Sequence, residues 1–141
     1  MSVTILPFTI SDYDEAYALW SVTPGIGLSS VDSREAIQHY LDENPDTSFV
    51  AREDGRLVGA VLCGTDRRRG YLNHLAVASS HRGQNLGREL VAHCLTALKS
   101  KGIVKCHIFV YQNNKEGTAF WEKIGWKKRM DLDIMSIDIP K

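Results

Sequence analysis

The chain has 141 residues, and its 17 Lys and Arg are matched by 17 Asp and Glu, so the formal charge is zero. That balance lacks the cationic excess by which proteins hold bulk duplex DNA through phosphate neutralisation, and nucleic acid is excluded as a partner on that ground. With 43% hydrophobic and 24% charged residues, the composition is globular rather than disordered, and a single domain over residues 1–141 is expected to build its core without disulfides or a structural metal.

Taken in chain order, Val3 to Phe8 reads as a first strand, after which Ser11 or Asp12 caps a helix to about Trp20. Ser21 to Ser30, with Pro24, Gly25 and Gly27, is a loop. Ala36, Ile37, Tyr40 and Leu41 recur at helical spacing behind Ser33, and Asn44-Pro45 closes that second helix. Ser48 to Arg52 and Arg56 to Leu62 flank Glu53-Asp54-Gly55, a hairpin signal. Arg67-Arg68-Arg69-Gly70 leads into a strand from Tyr71 to Val77, the arginines reading as a solvated face or as a contact for a phosphate or an acidic substrate. Leu86, Leu90, Val91, Cys94, Leu95 and Leu98 make one face of a long helix ending near Gly102. Val104 to Tyr111 follows as a strand, Asn114 to Ile124 as a helix, and Trp126 to Met130 with Leu132 to Ile139 as a terminal hairpin. The expected fold class is α/β, a mixed sheet with helices packed on it.

No segment reaches the roughly 18 apolar residues that a membrane helix requires, and no basic stretch precedes an apolar run at the start, so no membrane partner and a cytoplasmic location are expected. Cys63, Cys94 and Cys106 are odd in number and belong to no Cys/His cluster, which reads as reduced packing thiols with no metal site.

The chemistry is concentrated in Leu72-Asn73-His74-Leu75-Ala76-Val77 and the loop Arg82-Gly83-Gln84-Asn85-Leu86-Gly87-Arg88. A strand ends, a polar loop with two glycines follows, and a helix starts inside it. Free N–H groups and the helix dipole at such a junction cradle an anion, in particular a diphosphate, and Arg82 and Arg88 add charge-assisted contacts.

At these residues the chain resembles the GCN5-related N-acetyltransferase superfamily, whose loop reads Arg/Gln-x-x-Gly-x-Gly/Ala after a Leu-Ala-Val-like strand end. Asn85 stands where glycine is usual, and asparagine tolerates the left-handed backbone such a position can need. Phe120-Trp121-Glu122-Lys123-Ile124-Gly125-Trp126 resembles the family's closing segment, so the likeness spans the chain. The resemblance implies the acyl-CoA N-acyltransferase fold and acetyl-CoA as cosubstrate. It implies that Leu75, Ala76 and Val77 present backbone groups to pantetheine, and that Gly83 through Arg88 hold the diphosphate. It further implies that Asn114 bonds pantetheine and Trp121 lies near the thiol. Trp20 and the 24–28 loop sit where the family forms its acceptor wall, the loop reading as a pocket rim or as a flexible connection.

The implied activity is direct transfer of the acetyl group to a primary amine in a ternary complex, a small molecule being favoured over a protein. A lysine-like amine at pH 7 lies about three units below its pKa, so the neutral nucleophile costs roughly 4 kcal/mol and a base must take its proton. Members of the family often carry a tyrosine acid where Trp121 stands, and some carry a glutamate base where Phe109 stands. Tyr111 and His74 are the replacements by position. His74 has two readings, a proton carrier or a histidine on one sheet face in the alternation Leu72, His74, Ala76; Tyr111 is a proton carrier or a strand-end aromatic. The missing pair leaves a non-catalytic CoA-binding sensor as the alternative function. A homodimer through the terminal hairpin or a sheet edge is a further expectation.

Overall fold

A computed structural model describes residues 2–141, and the chain divides into two compact units, Met1–Phe109 and Val110–Lys141. The first holds a five-stranded sheet in the order β1-β2-β3-β4-β5. Its strands are β1 (Thr4–Pro7), β2 (Phe49–Glu53), β3 (Arg56–Thr65), β4 (Gly70–Val77) and β5 (Cys106–Ile108), with helices α1 (Tyr13–Ser21), α2 (Arg34–Glu43) and α3 (Leu86–Ser100). The first four strands are antiparallel neighbours and β5 runs parallel to β4, the mixed sheet that the alternation of elements predicts.

Local chemistry sets the boundaries. The Ser33 hydroxyl accepts the Ala36 N–H and starts α2. In the β2–β3 hairpin, Asp54 and Gly55 both take positive φ (51° and 78°), as a two-residue turn matched to strand twist demands. Arg52 at the end of β2 holds Asp12 at 2.7 Å and Glu15 at 2.8 Å, tying the sheet to the start of α1.

The sheet's two faces bury different helices. Phe8, Ala16, Trp20, Ile37, Val50, Ala60, Leu62 and Ala76 form the core under α1 and α2. On the other face α3 lies so close that a Cβ on Gly59 would meet Leu90 at 3.0 Å, and one on Gly70 would meet Leu98 at 2.4 Å. Cys63, Cys94 and Leu72 are buried there as well. All three cysteines are free, and burial pushes the Cys106 thiol up to about 12, so they are inert packing groups.

Three expectations are corrected. The strand read over Val104 to Tyr111 pairs only at Cys106–Ile108, because β4 offers partners only from Gly70 to Leu72 and Val104 is exposed. The terminal hairpin is not formed: residues 127–141 carry no regular structure. An isolated two-stranded ribbon has too little buried surface to hold itself, and the segment is instead bent by a two-pronged Arg129–Asp131 ion pair.

The third correction concerns alternation in β4. Leu72 pairs with Cys63 and belongs to the α3 face, whereas Asn73 pairs with Leu62, and Ala76 with Ala60, both on the α1–α2 face. Two residues three apart share a face only if an extra residue intervenes. The register shifts there, and His74 takes φ 55°. This bulge, not strict alternation, turns His74 toward α1 and α2.

In the second unit α4 (Lys115–Lys123) is capped by Asn114, whose Oδ1 accepts the Gly117 N–H at 2.9 Å. Gly125 at φ 101° ends it, and the Trp126 N–H returns to the Trp121 carbonyl. Trp121 packs edge-on against Trp126 at 4.9 Å and Phe120 at 5.1 Å and is half-buried.

Candidate functional site

Beyond Leu72 no described strand pairs with the β5 side of β4, so the backbone from Asn73 to Val77 is an open sheet edge. Leu75, Ala76 and Val77 lie along this edge; Ala76 is buried and its neighbours half-buried. An open edge can take an extended ligand as an added strand. The bulge stands at its start, and a non-glycine residue held at positive φ costs on the order of 1–3 kcal/mol, the kind of strain concentrated at functional sites.

The chain then makes a single 3-10 turn, Ser79–His81, before the glycine loop. His81 is buried and bridged on both ring nitrogens, Nδ1 to the Ser80 hydroxyl at 2.7 Å and Nε2 to Glu53 at 3.1 Å, which anchors the loop to the end of β2. Arg82 donates from Nε to the Val77 carbonyl at 3.2 Å, so this side chain, expected to contact anions, also braces the end of β4. Gly83 takes φ 79°, and Asn85 takes φ 65° and ψ 12°, the left-handed backbone anticipated for an asparagine in a glycine position. No side chain caps α3. By helix geometry its leading N–H groups, from Leu86, Gly87 and Arg88, find no intrahelical acceptor, and with the dipole they can receive an anion. Gln84 and Arg88 are exposed around it, while Leu86 sends its side chain into the core and offers the loop only backbone.

Beside the bulge opens a cavity of about 530 Å³, lined among others by Val31, Asp32, Tyr40, Glu43, Asn73 and His74. His74 Nε2 lies 2.7 Å from Asp32 Oδ1, with the side chains 16% and 5% exposed. The Trp20 ring packs on the imidazole at 5.1 Å. Burial pushes the Tyr40 phenol well above its usual range; Asn73 lies near enough to oppose that slightly, although the hydroxyl makes no well-formed hydrogen bond. Asp32 was not legible in the sequence. It is 42 residues from His74, and the pattern Ser29-x-x-Asp32 signals only a helical turn, which it does form through Ser29 N–H to Asp32 Oδ2.

Tyr111, Asn114 and Trp121 belong to the second unit. Tyr111 is 61% exposed and its carbonyl accepts the Asn114 N–H. Asn114, expected to bond pantetheine, has its Oδ1 occupied by the α4 cap. Phe109 at the end of the first unit is exposed and stacks on Tyr71. Arg67, Arg68 and Arg69 lie in a turn organised by Asp66, whose carboxyl is held below its usual range by the Arg69 and Arg68 N–H groups. No cluster of three or more His, Cys, Asp or Glu among the described residues is placed to hold a metal ion, and no helix there is long and apolar enough to cross a membrane.

An open strand edge thus runs into an uncapped helix start, with the cavity that His74 lines beside it. Residues 13–126 match the acetyltransferase (GNAT) family. The chain belongs to that family. This GNAT protein is 29% identical over 104 residues to N-alpha-acetyltransferase 30 of Schizosaccharomyces pombe, covering 70% of this chain and 69% of the relative. Its fold is that of the PaiA N-acetyltransferase of Thermoplasma acidophilum in complex with coenzyme A, with a TM-score of 0.78 at 21% identity over 94% of each chain. It is equally that of AAC(6')-Iy in complex with a bisubstrate analogue, with a TM-score of 0.80 at 15% identity over 99% of this chain and 100% of the other. The protein is thus an acetyltransferase of the GNAT type.

Proposed function

We propose that this GNAT acetyltransferase moves the acetyl group of acetyl-CoA directly to a primary amine in a ternary complex, acting as one domain of residues 1–141 in the cytoplasm, with a small-molecule acceptor. The observation that carries the reading is the continuity of the open β4 edge with the uncapped start of α3. The residues suit the cosubstrate. Positive φ at Gly83 and Asn85 turns the loop's backbone, the leading N–H groups of α3 receive the diphosphate, and exposed Arg88 adds charge. Leu75, Ala76 and Val77 receive the pantetheine arm, and an N–H at the bulge meets the oxygen that becomes negative during transfer. Bound there, acetyl-CoA supplies an activated acyl carbon.

The small-molecule preference is supported by the cavity beside His74, walled by the 27–32 loop and α2 and carrying Glu43 for a cationic group. The name of the S. pombe relative points the other way, toward protein N-termini. Thiol release from acetyl-CoA, measured between about pH 7 and 9 with small primary amines and with short peptides bearing free N-termini, decides. Turnover of small amines is expected. Release with peptides alone overturns the acceptor class, and CoA binding without any release overturns the transfer itself.

A further inference from the structure

We propose that His74 is the base that takes the proton from the acceptor amine and that Asp32 is the positioning residue that fixes its tautomer, an assignment that rests on the acetyl-transfer reading above. An ionised carboxylate only accepts hydrogen bonds. The 2.7 Å contact to Asp32 Oδ1 therefore puts the ring hydrogen on Nε2 and leaves the lone pair of neutral His74 on Nδ1. No hydrogen bond from a described residue engages Nδ1. The carboxylate is itself held, since Oδ2 accepts the Ser29 N–H at 3.0 Å and the residue's carbonyl accepts the Tyr13 hydroxyl at 2.6 Å. Trp20, fully buried, packs on the imidazole and limits its rotation. A buried anion on one nitrogen favours the imidazolium that forms when the other takes a proton.

The backbone supports the same assignment independently. Regular alternation from Asn73 would send the next side chain to the α3 face; the bulge and the positive φ reverse that and bring His74 to the cavity, directly before Leu75 on the open edge. The strained residue, the cavity and the cosubstrate edge thus meet at one position.

In the step, the lone pair of the neutral amine forms the N–C bond to the acetyl carbon, and the C–S bond breaks with its electron pair leaving on sulfur. One amine proton passes to Nδ1 and the other stays on the amide nitrogen. His74 then gives its proton to the thiolate, directly or through water, so that amide and free thiol are the products. Besides Asp32, the titratable groups facing His74 across the cavity are Tyr40, His39 and Glu43 of α2; α1 contributes Trp20, and its β4 neighbours Asn73 and Leu75 are uncharged.

The test uses the full chain with His74→Gln and Asp32→Asn, 2-phenylethylamine as probe acceptor, calorimetric CoA binding, and nitrogen NMR of the neutral histidine rings, which reads their tautomers and in which His74→Gln identifies the His74 signal. Neutral His74 is expected as the Nε2–H tautomer. His74→Gln should lower kcat by about 10²–10⁴-fold with CoA affinity kept within about twofold. Asp32→Asn should lower kcat by at least about tenfold and let the Nδ1–H tautomer of the neutral ring appear, a redistribution that a merely structural role would not produce. Turnover retained by His74→Gln, an Nδ1–H tautomer in the unaltered protein, or a His74 tautomer indifferent to Asp32→Asn overturns the proposal while the acetyl-transfer reading stands. Absence of turnover by the unaltered enzyme with 2-phenylethylamine and every other amine tried overturns both.

Discussion

The glycine loop gives a prediction whose size follows from backbone geometry. A Cβ at Gly83 would meet nothing within 4 Å, so Gly83→Ala introduces no clash and its whole effect is conformational, since φ is 79°. Holding an L-residue with a Cβ in that region costs about 1–2 kcal/mol. If CoA requires the loop as it stands, that energy appears as a roughly 5- to 30-fold weaker Kd for CoA. Asn85 at φ 65° refines the argument. Asn85→Gly removes a residual strain and should leave affinity unchanged or slightly better, whereas Asn85→Val, β-branched and averse to positive φ, should weaken binding at least as much as Gly83→Ala. Calorimetric titration of each variant with CoA, beside its thermal melt, separates loss of binding from loss of fold. Full CoA affinity in both Gly83→Ala and Asn85→Val would show that the loop's backbone conformation does not form the diphosphate site. A tenfold loss in Asn85→Gly would show that the asparagine side chain, not its backbone, contributes.

Other consequences concern stability. The buried Ser48 hydroxyl accepts the Cys63 N–H at 2.8 Å, replacing a ladder bond where β2 has not yet begun, so Ser48→Ala should cost about 1–3 kcal/mol in urea unfolding; a loss below about 0.5 kcal/mol would mean that water or a shift rescues the N–H. Gly70→Ala drives a Cβ to 2.4 Å from Leu98 Cδ1 and should cost about 1–3 kcal/mol, part of it recovered by adding Leu98→Val; additive losses would refute the proposed collision. The Arg52 hydrogen bond holds the Glu15 carboxyl below its ordinary value of 4.5. A group with a depressed folded pKa stabilises above its unfolded value and ceases to as pH falls through the folded one. The Tm difference between the unaltered protein and Glu15→Gln should therefore be complete near neutrality and shrink below about pH 4.5, and a difference that persists to low pH would exclude this ion pair as its source.

Much of this protein is decided locally. Apolar residues at helical spacing behind Ser33 and after Leu86 define α2 and α3, and Asp54-Gly55 fixes the β2–β3 turn, because propensity, capping and turn chemistry act within a few residues. The loop from Arg82 to Arg88 is legible for the same reason, a backbone device that glycine and asparagine announce. The zero net charge of the chain does not register it, since oriented amides add nothing to the formal count. The terminal segment shows the limit of local pattern: Leu132, Ile134, Ile137 and Ile139 have strand-like character, but a strand exists only where another supplies hydrogen bonds. His74 shows it more sharply. Its identity is in the sequence, yet the side to which it points depends on one extra residue in β4, and its partner Asp32 comes from a turn far away in the chain. Register and long-range pairing are settled by how strands and helices pack against one another, so only the tertiary structure could turn a histidine of ambiguous face into half of a carboxylate–imidazole pair beside an open strand edge.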